Sequence, residues 1–366
     1  MSDGPSNRFL TLAKAAGSAA VTVFLAACAT PHTRPPEPSK REVDEAARYQ
    51  LEARRTKQIA TGPTSPYIGF PEPHRIANVN NRIAIAAASF CGPNIKTTYA
   101  ISTGTPDNGR PVVMDNAAGI KPGSRILSVN GNAISAGELG RNQFLNISDN
   151  LARSKQTLQL QVQQGNQVLT AGLQPVTACN YRLQYHTATT DVGKTFNAFA
   201  DGTMLHVTEK LVKTLKNDDD LGFVMAHEYI HNAYGHIEAK KKNLSWAALA
   251  GLAVDIFAAT QGVKTGGNAT KLAAMQGALA YSVDFEREAD YGGLYVLKRA
   301  GYDLQAAQRV ADTMAIIGKT DAVVTYSSTH PSTAIRSAAA EKTVTEIEHK
   351  HKHGHPLVPN TKNGPQ

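Results

Sequence analysis

The sequence predicts an α+β fold in which a mainly helical body with a small sheet is interrupted by an inserted β-rich module, and three observations predict it. Helical periodicity runs through about 76–90, through the segment around 218–231 and through the segment after Ser282, where apolar residues recur at three- and four-residue spacing. Between about 95 and 178 the texture changes to short alternating apolar runs separated by Gly, Asn and Asp. Cys91 and Cys179 bracket that stretch closely, which marks it as an insertion. With 366 residues, 42% of them hydrophobic, the chain can bury one sizeable core and a second small one.

The N-terminus reads as an export signal. Arg8 and Lys14 precede an apolar run from Ala15 to Ala27 that is too short for a stable membrane span. The run ends in Leu25-Ala26-Ala27-Cys28, which resembles the bacterial lipobox. That resemblance implies removal of residues 1–27, lipid on Cys28 and anchoring at a membrane surface without a spanning helix. Ala29, where such lipoproteins can carry Asp, implies the periplasmic face of the outer membrane. In that oxidising compartment the two remaining cysteines, Cys91 and Cys179, are expected to pair.

Residues 28–74 are expected to form a tether and a charged helix. The tether is the Pro-rich stretch 29–39 and the helix covers 40–60. A helix over about Ile76–Phe90 should stop at Cys91-Gly92-Pro93. Strands follow, among them Arg125–Val129 and Leu158–Val162. Within them, Ala118-Gly-Ile-Lys-Pro-Gly-Ser-Arg-Ile-Leu-Ser-Val-Asn-Gly131 resembles the most recognisable stretch of PDZ domains: a short helix and turn, a strand, then an Asn-Gly turn. The resemblance implies an inserted PDZ-like domain over 95–179 that takes an extended peptide or a C-terminus by strand addition. The body is then discontinuous, 75–94 plus 180–345.

His227-Glu228-Tyr229-Ile230-His231 follows three aspartates, Asp218 to Asp220, and the apolar run Leu221–Ala226, a pattern that favours a buried helix. At i and i+4 both imidazoles project from one face and can meet one tetrahedral Zn²⁺, with Glu228 beside them as a base for a water proton. A third ligand is needed. His236 lies five residues past His231, about 140° around a helix, and points away. Tyr234 and Ile237 stand where the metzincin pattern wants Gly and His, which disfavours that group.

The segment Ser282-Val-Asp-Phe-Glu286-Arg-Glu288-Ala-Asp290 supplies the ligand through a resemblance. With the first motif it resembles the M48 peptidases, whose pattern is His-Glu-x-x-His followed by a second helix carrying Glu-x-x-Ala-Asp. Position by position, this implies His227, His231 and Glu286 as ligands of one Zn²⁺, Glu228 as the base, and Asp290 as the hydrogen-bond partner of a ligand histidine. Glu288 is expected to be a solvated charge and is the main competitor of Glu286 for the ligand role. The same resemblance makes Asn197-Ala198-Phe199-Ala200-Asp201-Gly202 an edge strand and turn where a peptide could pair. It matches Ser328-Thr329-His330-Pro331 and Arg336 to an element whose histidine approaches the metal. It covers 75–94 and 180 to about 340 and implies a gluzincin-like zincin that cuts polypeptides, with misfolded envelope proteins as the substrate class. A PDZ-based chaperone or substrate-binding lipoprotein with little proteolysis is the rival reading.

Three further features are less specific. The run 245–263 is interrupted by Asp255 and rich in Ala and Gly, so a buried or interfacial helix is expected there, followed by a lid over Gly262–Asn268. The tail, 346–366, alternates His with Lys and Gly from His349 to His355 and is expected to be disordered, with loose metal binding as the alternative. The net charge of +8 is spread along the chain with no recognised nucleic-acid motif, which leaves solubility or attraction to an anionic membrane surface and excludes nucleic acid as an expected partner.

Overall fold

The computed structural model describes residues 31–56, 62–67, 70–106, 109–115, 117–260, 266–268, 270–271, 282–317 and 334–362. The export signal, Cys28, His330 and most of the expected lid lie outside the described residues. The chain divides into two compact units: Arg34–Tyr234 with Arg287–Gln366, and Gly235–Glu286 with the N-terminal residues through Thr33.

The charged N-terminal helix α1 spans Lys40–Thr56 and α2 spans Glu72–Ala86. Pro73 stands at the first turn of α2, where a missing N–H costs nothing. Ile76, Val79 and Ile83 form its buried stripe. A 3-10 turn over Ala88–Phe90 ends the helical segment, and Gly92 at φ +50 turns the chain into β1, Ile95–Tyr99.

The β-rich module follows: β2 (Thr103–Gly104), β3 (Val112–Val113), β4 (Arg125–Val129), β5 (Asn132–Ala133), α3 (Gly137–Arg153), β6 (Leu158–Gln164), β7 (Gln167–Leu173) and β8 (Pro175–Cys179). Its sheet has the order β2-β3-β4-β6-β7, with β5 paired to β4. Asn130 at φ 45 and Gly131 at φ 80 make the two-residue turn between β4 and β5, the positive-φ pair that matches strand twist. Ile126, Val129, Phe144, Leu158, Leu160 and Val162 build a core of its own. The short helix expected before β4 is a turn instead, closed by a bridge between Ala117 and Ile120, because Gly119 and Gly123 at positive φ break any helix there.

The incoming and outgoing strands of this module meet. β1 and β8 pair antiparallel with Ile95 opposite Cys179, and a Cys91–Cys179 disulfide, Cα atoms 5.7 Å apart, ties their base. Asn78 on α2 exchanges two hydrogen bonds with the Thr103 backbone and fastens the module to the helical body.

Beyond the module come β9 (Arg182–His186), β10 (Ala198–Ala200), β11 (Met204–Thr208), α4 (Glu209–Thr214) and α5 (Asp218–Ala233). The sheet order is β10-β11-β9, so β10 is an edge strand. Asn197 and Asp201 bond inward to Thr208 and Met204, and antiparallel alternation turns the backbone groups of Ala198 and Ala200 outward.

In the smaller unit, α6 runs His236–Thr260, beginning earlier than the apolar run suggested. No helix among the described residues is long and apolar enough to cross a membrane. Asp255 accepts bonds from the N–H and hydroxyl of Thr270. The remaining helices are α7 (Ser282–Arg299), α8 (Ala306–Ile317) and α9 (Ala334–Lys352). Stripes from α2, α5, α7 and α8 share one core that includes Ile76, Val224, Tyr229, Leu294 and Val310.

The tail differs from expectation. α9 continues through Lys352, and residues as far as 362 are described, docked on the larger unit. Asn360 N–H donates to Tyr291 and its amide to Glu346, while Lys350 donates to the Val358 carbonyl. Leu357 packs on the core. Composition alone favoured disorder, but these tertiary partners satisfy the backbone and override it.

Candidate metal centre

The helix α5 is held rigidly before it reaches the histidines. Asn217 caps it by accepting from Asp220 N–H, and Asp218, Asp219 and Asp220 place negative charge at its N-terminus. Two arginines from distant segments answer that charge. Arg75 on α2 donates to Asp218 and to the carbonyls of Val212, Leu215 and Asn217, so it caps the end of α4 as well. Arg309 on α8 bonds Asp220 and Asp303 at 2.8 Å each. Burial pushes the Asp220 carboxyl up, and Arg309 pulls against that shift.

Downstream, α5 is buried on all sides, and His227, Glu228 and His231 are each exposed by 1% or less. The ring nitrogens His227 Nε2 and His231 Nε2 face one another at 3.0 Å. One ligand atom from each of His227, His231 and Glu286 lies within 4.8 Å of the others. The division between units falls inside α7, and the continuity of that helix sets Glu286 one turn before Asp290. Two imidazole nitrogens and a carboxylate oxygen are a donor set for a divalent transition metal.

The supporting bonds fix which nitrogen faces the cluster. His227 Nδ1 sits 2.9 Å from Asp290 Oδ1, so the ring donates there and keeps the Nε2 lone pair toward the cluster. Arg336 on α9 grips both oxygens of Asp290, Nε to Oδ2 at 2.7 Å and Nη2 to Oδ1 at 2.8 Å. Burial alone would raise this carboxyl, but the guanidinium and the His227 N–H hold it below the usual carboxylate range. Asp290 and Arg336 therefore meet beside His227.

Glu288 does not behave as a solvated charge. It is fully buried, and after burial itself its charge helps push the Tyr234 phenol up. The reason is that α7 is covered on more than one face: Phe285, Ala289 and Tyr291 are all buried beside it. His236 stacks on Phe285 at 4.7 Å in the smaller unit, and it is not among the clustered ligand atoms.

Four further residues position the centre. Gly292 and Gly293 on α7 lie against α5: a Cβ on Gly293 would stand 3.2 Å from His227 N and 3.3 Å from its Cα. Adjacent glycines inside a helix that costs about 1 kcal/mol for each were the available signal. Asn232 accepts from Gly202 N–H and donates to the Met204 carbonyl, tying α5 to the β10–β11 turn. Lys240, in the smaller unit, places its ammonium 3.4 Å from Glu286.

A buried His-His-Glu donor set on two helices, with a buried carboxylate one residue after the first histidine, is the donor arrangement found at metallopeptidase centres. Residues 163–344 match the sequence model of peptidase family M48, and the chain carries an M48 peptidase domain. The chain is 29% identical over 134 residues to the beta-barrel assembly-enhancing protease of Yersinia pestis, covering 34% of this chain and 27% of that protein. It is 36% identical over 128 residues to the mitochondrial metalloendopeptidase OMA1 of Arabidopsis thaliana, 35% of this chain and 25% of the relative. Against the OMA1 of Schizosaccharomyces pombe it is 30% identical over 157 residues, 42% and 45%. The match thus spans about a quarter to under half of the length of these relatives. No solved structure matches the chain.

Proposed function

We propose that the chain is a zinc-dependent endopeptidase that hydrolyses peptide bonds of envelope polypeptides, with one Zn²⁺ held by His227, His231 and Glu286. The convergence of those three buried ligands carries the reading. Zinc, when bound, supplies Lewis acidity that polarises a scissile carbonyl. Glu228, buried beside His227, takes a proton from the attacking water and delivers it to the leaving amine. Asp290 and Arg336 hold His227 in one tautomer and orientation. The outward backbone groups of Ala198 and Ala200 on β10 suit pairing with an extended substrate beside Asn197 and Phe199. His330 is assigned the part of restraining the centre or steadying the oxyanion.

The names of the bacterial relatives speak of β-barrel assembly, which supports envelope proteins as the substrate class and quality control as the role. Lipid on Cys28 would hold the enzyme at the periplasmic face of the outer membrane. The separate core of the β-rich module supports a PDZ-like domain able to take a peptide or a C-terminus.

Zinc content and chelator-sensitive casein cleavage in the wild-type chain, Glu228→Gln and Glu286→Ala test the proposal. Glu228→Gln should keep zinc and lose cleavage, and Glu286→Ala should lose both. Cleavage undiminished in Glu228→Gln would overturn it. Full function of that variant in cells, with cleavage gone, would favour the chaperone reading.

A further inference from the structure

The sheet of the β-rich module begins with β2, an edge strand whose outward side is already occupied. β2 and β3 pair antiparallel with Thr103 opposite Val113, and the Met114 N–H donates to the Ser102 carbonyl. In that register the N–H and carbonyl of Thr103 point away from β3. An extended polypeptide adding to the sheet at this edge would pair with them. Instead, one stripe of α2 takes them. The Asn78 carboxamide accepts the Thr103 N–H at 2.9 Å and donates to the Thr103 carbonyl at 2.7 Å, the exchange that a peptide group of a neighbouring strand would make. One turn earlier, His74 Nδ1 accepts the Thr105 N–H at 3.4 Å. About one turn later, Asn81 Nδ2 donates to the Tyr99 carbonyl at 3.0 Å and meets that of Ile101 at 3.5 Å. From His74 to Asn81 a helix rises about 10 Å, and from Thr105 to Ile101 a strand rises about 13 Å, so the two repeats stay in step over this length. His74 is 4% exposed and also faces Glu138 on α3 at 3.7 Å, so its ring fills the space between β2 and α3.

α2 belongs to the body rather than to the module. Arg75 binds it to the start of α5, the Tyr229 hydroxyl donates to Asn80 at 3.0 Å, and Ile76, Val79 and Ile83 lie in the core of the body. The apolar contact beside the stripe is slight: Tyr67 and Phe70 with Val112 and Met114 form a cluster separate from that core and from the core of the module. What joins module and body along β2 is therefore chiefly polar, and a polar group exchanges one good partner for another at little net cost. The Cys91–Cys179 bridge keeps the base of the module in place whether or not this edge is engaged.

We propose that α2 is a built-in occupant of the module's strand-accepting edge, and that an extended polypeptide is taken at β2 only when the module moves off the His74, Asn78 and Asn81 stripe. This rests on the reading of the module as a strand-adding domain and gives that domain a closed, self-satisfied state. The partner it fits is an unfolded or extended segment, because only a free backbone offers the N–H and carbonyl that the Asn78 carboxamide now supplies.

Fluorescein-labelled casein is titrated with the full, zinc-loaded chain in a Glu228→Gln background, which leaves the probe uncut, and anisotropy gives the affinity. Against that parent, Asn78→Ala removes both bonds to Thr103 and should bind about tenfold more tightly, because a larger share of molecules has the edge free. Asn81→Ala, the milder loss, should move the same way by less, and a cooperative thermal melt of each variant verifies that it is folded. Thr103→Pro deletes the outward N–H and spares the ladder to β3, a change that an edge strand tolerates. Added to Asn78→Ala, it should erase the gain. Affinity unchanged in Asn78→Ala and Asn81→Ala, with binding lost in Thr103→Pro, would overturn the masking by α2 and leave the strand-adding reading standing. Binding indifferent to Thr103→Pro in every background would overturn both.

Discussion

Asp290 accepts the Nδ1–H of His227 at 2.9 Å while both of its oxygens are held by Arg336. An imidazole on α5 is thus oriented by a carboxylate on α7 that is itself oriented by a cation on α9. Three helices distant in sequence agree on the direction of one lone pair. That agreement explains why the carboxylate can stay ionised in a fully buried place: it has a full complement of donors.

Asp290→Asn should therefore weaken metal binding by about 10- to 100-fold, because the amide cannot satisfy the Arg336 fork and the His227 N–H together. Arg336→Lys keeps the charge but loses the two-pronged contact, and about a tenfold loss is expected. Competition with a chelator reads both. Wild-type affinity in the two variants would show that the chain of bonds does not govern the centre.

Gly293→Ala tests the close approach of α7 to α5. The new methyl would meet His227 N and Cα at 3.2 and 3.3 Å, and the backbone of a buried helix cannot step aside as a side chain can. Overpacking should cost about 1–3 kcal/mol, more than the gain of about 1 kcal/mol in helix propensity returns. Gly292→Ala meets only the Ile230 side chain, at 3.0 Å, and should be milder. Thermal unfolding and metal content measure the pair. A Gly293→Ala protein as stable and as metal-rich as wild type would refute the packing argument.

These positions show what the sequence could and could not disclose. The helix carrying His227 and His231 was legible because its pattern is local: two histidines four residues apart share a face whatever surrounds them. Glu286 and Asp290 were reached only through family resemblance, since nothing in their own spacing says which carboxylate turns inward. Glu288 was misread for that reason. Alternating Glu, Arg and Glu suggests a wet face, yet α7 is enclosed, and burial of a charged residue is decided by tertiary partners. The docked tail was misread in the same way, because Tyr291 and Glu346, which receive Asn360, are remote from it in sequence.

Arg75 presents a similar long-range dependence and a sharper test. It is 8% exposed and serves four acceptors, the Asp218 carboxylate and three carbonyls at the junction of α4 and α5. Arg75→Ala should cost about 3 kcal/mol or more, because the buried acceptors lose their donor and Asp218 its partner. Arg75→Lys should recover only part, having no fork to span the junction. Urea unfolding followed by far-ultraviolet circular dichroism gives the loss. An Arg75→Lys protein as stable as wild type would argue that charge alone, not the geometry of the fork, matters.

His186 on β9 supplies a pH dependence whose sign can be worked out. Its Nε2 stands 3.0 Å from His206 Nδ1, and the opposite nitrogen of His206 meets Asp201 at 2.9 Å. Phe199 lies over His206 at 4.4 Å, so the rings form one stack across the three-stranded sheet. Burial, and then the neighbouring His206 ring, push the His186 pKa below its ordinary value. In the unfolded chain His186 takes its proton near the usual value of about 6.5, whereas the folded ring takes it only at lower pH. Between those two pH values the unfolded state holds more protons, so stability rises with pH there. The contribution of the neutral ring is fully present above about 6.5 and is lost as pH falls through the folded value. Hydrogen exchange at the amides of Met204–Thr208 should accordingly quicken between pH 7.5 and 5.5, after correction for the intrinsic pH dependence of exchange. In His186→Gln, which keeps a polar group of similar reach but cannot titrate, that extra acceleration should disappear. The same acceleration in both chains would place the titrating group elsewhere, with Asp201 excluded because its carboxyl is held far below this range by His206 and the N–H groups of Thr203 and Met204, against the upward push of burial.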